Sequence, residues 1–226
     1  MTSKYYADES TFYVAVDCIV FGFDDGKLQV LFQRRSIEPY NGELTPLGGF
    51  VGEKETLDEA AYRVLTECTG IRDLLLEQLE AFGDINRDPG GRVVSVAYYA
   101  LLDKAHYNHN FSNKFDCQWI DIDNIPVLYF DHMKMLKKAV MRLQDKIGYT
   151  PIAMKLLPKE FTLSQIQRLY ESILQEKLDK RNFRKKICDM PYFVKTGKID
   201  KSGSKRGAAI YTFDYNCYKE LRDYHL

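Results

Sequence analysis

Apolar residues follow two rhythms along this chain, and the change of rhythm divides it. Phe12–Phe23 is almost wholly apolar, rich in valine and aromatic residues, and Asp17 is the one acid inside it. Such a run predicts a buried strand. Asp24-Asp25-Gly26 offers turn chemistry, and the partly alternating Lys27–Gln33 completes a hairpin. In Thr56–Cys68 the spacing changes to three and four, with Leu57, Ala60, Ala61, Val64, Leu65 and Cys68 on one side and Gly70 beyond, which predicts a helix with a glycine stop. Leu74–Ile85 and Arg92–Leu102 read as strands around the turn Asp88-Pro89-Gly90-Gly91, Gln118–Ile122 as a short strand, and Asp131–Ile147 as a helix. The first 150 residues are therefore expected to be α+β.

Beyond Thr150-Pro151 helical spacing takes over. Thr162 and Gln165 form a capping box ahead of the stripe Leu163, Ile166, Leu169, Ile173 and Leu174. Asp179 can cap the next helix, which is expected to reach about Asp189 before Pro191. Tyr192–Thr196 and Ala208–Phe213 read as strands around a loop, Gly197–Gly207, that carries three glycines and four basic residues. Two helices joined by a short turn, then a basic hairpin, is the order of a winged helix-turn-helix. The expected domains are 1–150 and 151–226, with no internal repeat and no low-complexity segment.

Of the 226 residues 45% are hydrophobic and 28% charged, as in a soluble globular protein. The longest apolar run falls short of the roughly 20 residues a spanning helix needs, and Met1–Thr11 lacks the basic start and apolar stretch of a secretory signal. A cytoplasmic protein without membrane contact is expected. Five scattered cysteines with no C-x-x-C pair suit reduced thiols. His106-x-x-His109 lacks acid or cysteine partners at ligand spacing and reads as plain loop, so neither a metal nor a cofactor is assigned.

Net charge is zero, but its distribution is not even. From Pro151 onward there are 16 Lys plus Arg against 9 Asp plus Glu, leaving 16 against 23 upstream. A basic domain after an acidic one is the electrostatic footprint of a nucleic-acid binder. On the second paired helix Phe183 and Ile187 face inward at i and i+4, so Arg181 and Lys185 face out, flanked by Asn182 and Arg184. Arginine and asparagine match guanine and adenine edges. Lys195, Lys198, Lys201, Lys205 and Arg206 give the hairpin five cations suited to phosphates.

Gly49, Glu55, Arg63, Leu65, Glu67, Gly70 and Ile71 fall at the spacing G-x5-E-x7-R-E-U-x-E-E-x-G-U, with U a bulky aliphatic residue. This resembles the Nudix box. The box expects three carboxylates on one helix face to hold magnesium; this chain has Val64, Glu67 and Cys68 there. An isopropyl group or a thiol cannot replace an oxygen ligand of a hard cation, so hydrolysis is expected to be lost or severely weakened and no catalytic residue is assigned.

Phe161–Tyr170, Leu178–Ile187 and Tyr211–Phe213 resemble the C-terminal domain of Nudix-related transcription regulators. That resemblance implies a Nudix-like α/β/α sandwich, a small winged helix, homodimers and palindromic operators. One branch, called NrtR, represses NAD metabolism in response to ADP-ribose or related compounds; the other, called AraR, responds to arabinose. Loss of the box acids is similar to the regulators that bind an effector without cleaving it, and the resemblance favours arabinose in the former catalytic cleft. Glu67 as a hydroxyl acceptor, Phe50 against a sugar face, and Arg34 and Glu43 nearby are the candidate contacts. Two competing readings are an active hydrolase whose basic domain grips a nucleotide, and a docking protein that uses both domains as surfaces.

Overall fold

The computed structural model describes residues 8–104, 116–148, 150–202 and 206–223. Strands β1 (Tyr13–Asp24) and β2 (Lys27–Arg34) form the expected hairpin, closed by Asp25 and Gly26 at positive φ. Two short strands follow, β3 (Leu44–Thr45) and β4 (Leu47–Phe50), then helix α1 (Leu57–Thr69). Thr56 and Glu59 cap α1 reciprocally and Gly70 ends it at φ 74°, a left-handed turn that glycine adopts without a Cβ clash. Strand β5 (Glu77–Phe82) is shorter than the predicted Leu74–Ile85, which overruns Gly83 to an exposed Ile85. Strands β6 (Val93–Leu102) and β7 (Gln118–Asp121) and helix α2 (His132–Ile147) complete the first part.

β1 pairs in parallel with β6 along its length. Its other edge divides: Val20–Asp24 pairs with β2, whereas Ala15–Cys18 pairs with β4. The strand alternates between two cores. Val16, Cys18 and Val20 pack under α1 with Ala61, Val64, Leu65 and Cys68. Ile19 and Phe21 face the other side with α2. This is the α/β/α sandwich anticipated from sequence.

A 3-10 segment, Pro151–Leu156, leads to β8 (Glu160–Thr162), α3 (Leu163–Leu174), α4 (Lys180–Cys188), β9 (Phe193–Asp200), β10 (Ala208–Phe213) and α5 (Tyr215–Asp223). The small antiparallel sheet runs β8-β10-β9. β9 extends past Gly197 to Asp200, so Lys198 stands on a strand rather than in the predicted loop. A register irregularity between Ala209 and Tyr211, with Gly197 at φ 82°, lets pairing continue to Ala208 and Asp200. The strand expected at the start of the box, within Pro46–Ile71, is β4, whereas neither α5 nor the short strands β3 and β8 is anticipated by the sequence pattern.

The second part packs firmly on the first. Ile152, Ala153, Met154, Leu156, Leu169 and Ile173 belong to the same buried cluster as Ile19, Leu28 and Leu143. Ser172 Oγ accepts from Leu28 N at 2.6 Å, and Gln144 Nε2 donates to Ile173 O at 2.9 Å. Among the described residues no helix is long and apolar enough to cross a membrane.

Candidate functional site

Where β1 changes partner from β2 to β4 the sheet forks, and a cavity of about 120 Å3 occupies the fork. Its floor is polar and buried. Asp17, from the middle of the apolar run, accepts from Ser95 Oγ at 2.5 Å and lies 3.8 Å from Arg87 Nη2 and 3.7 Å from His132 Nε2. Arg87 grips Asp131 with two hydrogen bonds of 2.7 and 3.0 Å. His132 Nδ1 is 3.3 Å from Thr45 Oγ1. Burial lowers the pKa of His132, with Asp17 opposing the shift, so a neutral ring at pH 7 is favoured. A Cβ on Gly48 would come 2.5 Å from Asp17 Oδ1, so the close approach of β4 to this carboxylate requires glycine.

Arg34, Arg35, Phe50 and Phe130 surround the mouth. The Arg35 guanidinium lies 4.9 Å from the centre of the Phe130 ring, and Arg34 donates to Asp116 Oδ2 and Gly42 O, each at 2.9 Å. Arg87 and Phe130 also line a neighbouring open groove of about 610 Å3 with Tyr40, Asp84, Ile85, Asn86 and Pro89.

Of the four candidate effector contacts the cavity brings together Arg34 and Phe50, and leaves out two. Glu43 offers its backbone to Arg35 and Tyr40, and its side chain does not line the cavity. Glu67 projects from α1 with 48% of its side chain exposed, 3.8 Å from Arg63, also outside the cavity. Among the wall residues that sequence reasoning missed are Gln33, Arg35, Thr45, Arg87, Phe130 and His132. One signal was available: Asp17 sits at an inward-facing position of a buried strand, and a buried carboxylate demands partners. Arg87, 70 residues away, carried no such signal.

Around the box, Glu55 and Arg63 brace the loop against α1. Arg63 donates to Glu55 at 2.9 and 2.7 Å and to Phe50 O at 2.9 Å, while Gly52 N donates to Glu55 at 2.7 Å. The Arg63 hydrogen bonds first, and the Gly52 N–H next, draw the Glu55 carboxyl down to about 2 from its ordinary 4.5. A carboxylate whose pKa is depressed on folding stabilises above its unfolded pKa and loses that contribution as pH falls through the folded value. We expect Glu55→Gln to be less stable than the parent at pH 6, the difference fading between about pH 4.5 and 2. Urea unfolding at a series of pH values checks this; a difference that does not change with pH would assign the effect to packing. Val64 and Cys68 are buried against the sheet, 3% and 2% exposed. Among the described residues no group of three or more His, Cys, Asp or Glu could hold a metal; His106 and His109 lie outside the described residues.

The second candidate surface is built by α4 and the hairpin. Asp179 caps α4 by accepting from Asn182 N at 2.8 Å. Ile187 is buried and Phe183 half-buried, so Arg181, Asn182, Lys185 and Lys186 stand exposed, and Lys186 extends the anticipated set. Arg184 is half-buried and donates to Ser164 Oγ at 3.1 Å, which ties it to the start of α3. On the hairpin Lys195, Lys198, Lys201 and Arg206 are exposed, with Lys198 2.7 Å from Glu160; Lys205 lies outside the described residues.

Two family profiles match the chain: the NUDIX domain over residues 11–142 and the NrtR DNA-binding winged helix domain over residues 153–213. Over 209 residues it is 34% identical to the ADPR responsive transcriptional repressor NtrR of Acinetobacter baylyi, which covers 91% of this chain and 83% of that protein. The chain belongs to the NrtR family of Nudix-related transcription regulators. Its fold is similar to that of Shewanella oneidensis NrtR complexed with a 27mer DNA, with a TM-score of 0.78, 27% identity, and coverage of 91% of this chain and 95% of that one. It is also similar to the NUDIX domain of the same NrtR complexed with ADP ribose, with a TM-score of 0.54 and 29% identity over 63% of this chain and 99% of that one. These likenesses fall on the ADP-ribose branch, and none supports the arabinose effector expected from sequence. That expectation came from the family resemblance alone and from no residue of this chain, and the missing box acids bear on cleavage, not on which ligand is recognised.

Proposed function

We propose that this protein is a cytoplasmic transcriptional repressor that acts as a homodimer, with residues 151–226 binding double-stranded operator DNA and the Nudix part binding ADP-ribose as effector. The observation that carries the reading is that the cavity and the groove share the wall residues Arg87 and Phe130. A cavity of about 120 Å3 accommodates one end of an elongated ligand, and the groove beside it accommodates the rest. Arg34 and Arg35 at the mouth suit a diphosphate, and Phe50 and Phe130 suit flat or sugar faces. The relatives described as ADPR responsive and as complexed with ADP ribose or DNA favour the same assignment.

The effector is bound without being cleaved. Glu67 is the one carboxylate at the three magnesium positions, and the side chains of Val64 and Cys68 are buried. One oxygen ligand does not suit a cation that demands near-octahedral coordination. A twofold dimer must hold its two α4 helices at the spacing of its half-sites, so a small shift of the winged helices costs one set of contacts.

Saturating ADP-ribose is expected to weaken operator binding by about 1–3 kcal/mol, and operator DNA to weaken ADP-ribose by the same factor. Titration calorimetry and operator-binding assays measure both, with arabinose as the control ligand. Equal operator affinity with and without ADP-ribose would sink the proposal. Robust magnesium-dependent turnover of ADP-ribose, abolished by Glu67→Gln, would restore the hydrolase reading.

A further inference from the structure

Cys68 stands at the last acid position of the Nudix box, and its thiol is not idle: Sγ donates to Gln33 Oε1 at 3.0 Å. Gln33 lines the effector cavity and donates through Nε2 to Gly48 O at 3.4 Å. The antiparallel register Phe32 with Gln118, carried one step on, sets Cys117 beside Gln33 and hence beside Cys68. Cys117 Sγ lies 3.6 Å from Cys68 O. The pair joins elements 49 residues apart in sequence, and its two members differ in access. Cys68 is 2% exposed, whereas Cys117 is half-buried.

We propose that Cys68 and Cys117 form a peroxide-sensitive dithiol whose oxidation to a disulfide withdraws the Cys68 hydrogen bond from Gln33 and so weakens effector binding. The coupling to the effector rests on the ADP-ribose reading; formation of the bond does not. The neighbouring Cys68 side chain lowers the pKa of Cys117, whereas the interaction with Cys117 and burial raise that of Cys68. Cys117 is accordingly the sulfur that meets peroxide as thiolate. Its attack breaks the O–O bond and leaves a Cys117 sulfenic acid and hydroxide. The Cys68 sulfur then gives up its proton, attacks the Cys117 sulfur and expels the second hydroxide. Two thiols and one peroxide become one disulfide and two waters. Gln33 Oε1 keeps its place in the wall without its donor.

The full chain is treated with hydrogen peroxide at low molar excess, and peptides are mapped by mass under non-reducing conditions. The expected result is a linked Cys68–Cys117 peptide pair, a loss of about 2 Da per chain that thiol reductant reverses, and no linked pair in Cys117→Ser. The Cys18→Ala chain is expected to form it normally. A sulfonic Cys117 with no partner, or bonds confined to Cys188 and Cys217, would overturn the proposal. In the oxidised chain ADP-ribose affinity is expected to fall roughly tenfold and to recover on reduction. A linked pair with unchanged ADP-ribose affinity would overturn the coupling to Gln33, while absence of ADP-ribose binding in reduced and oxidised chains alike would indict the effector assignment instead.

Discussion

Arg87→Ala is expected to lower folding stability by about 3–5 kcal/mol, the range seen when one member of a buried ionic network is removed. The Arg87 side chain is 4% exposed, forms two hydrogen bonds to Asp131 and lies 3.8 Å from Asp17, a carboxylate that is itself buried. Alanine would leave two carboxylates without their guanidinium partner, and His132, 3.7 Å from Asp17, is a cation only when protonated. Burial disfavours that protonation. Arg87→Lys keeps the charge but cannot reproduce the two-pronged contact with Asp131, so an intermediate loss is expected. Urea unfolding followed by the fluorescence of the single tryptophan, Trp119, measures both. A loss under about 1 kcal/mol for Arg87→Ala would mean that the network is solvated and that the cavity floor is not a buried charged site.

The second large effect concerns DNA. Arg181→Ala and Lys185→Ala are each expected to weaken operator binding by about 1–3 kcal/mol if the side chain meets a base edge, while affinity for random duplex changes little. Both side chains project from the exposed face of α4, whose seating is fixed by the Asp179 cap, by buried Ile187 and by Phe183 against Tyr170 with ring centres 5.5 Å apart. The hairpin cations are expected to behave differently. Lys195→Ala or Lys201→Ala should reduce affinity for every sequence and flatten the salt slope by about 1 each, because a phosphate contact releases counterions without reading a base. Binding to operator and random DNA over a fourfold range of salt separates the classes. If Lys201→Ala and Arg181→Ala behave alike on both duplexes, the division into reading helix and phosphate-holding wing is wrong.

Local chemistry alone determined much of this molecule. The capping box Thr162-Gln165, the cap Asp179, the stop Gly70 and the three-and-four spacing of α1 and α3 act between residues a turn apart, so the chain writes them out directly. The fixed spacing from Gly49 to Ile71 placed the strand, loop and helix of the box, and the charge imbalance about Pro151 separated the basic part. Tertiary structure decided what depends on distant partners. The fork in β1 arises because β2 and β4 compete for one edge, and it alone assembles Asp17, Ser95, Arg87 and His132 into one buried network. Glu67 and Glu43, placed at the cleft by box position and nearness in sequence, lie outside it because the face a side chain presents is set by packing. Cys68 meets Gln33 and Cys117 through pairing of β2 with a strand some 85 residues further on, a register that no local pattern encodes.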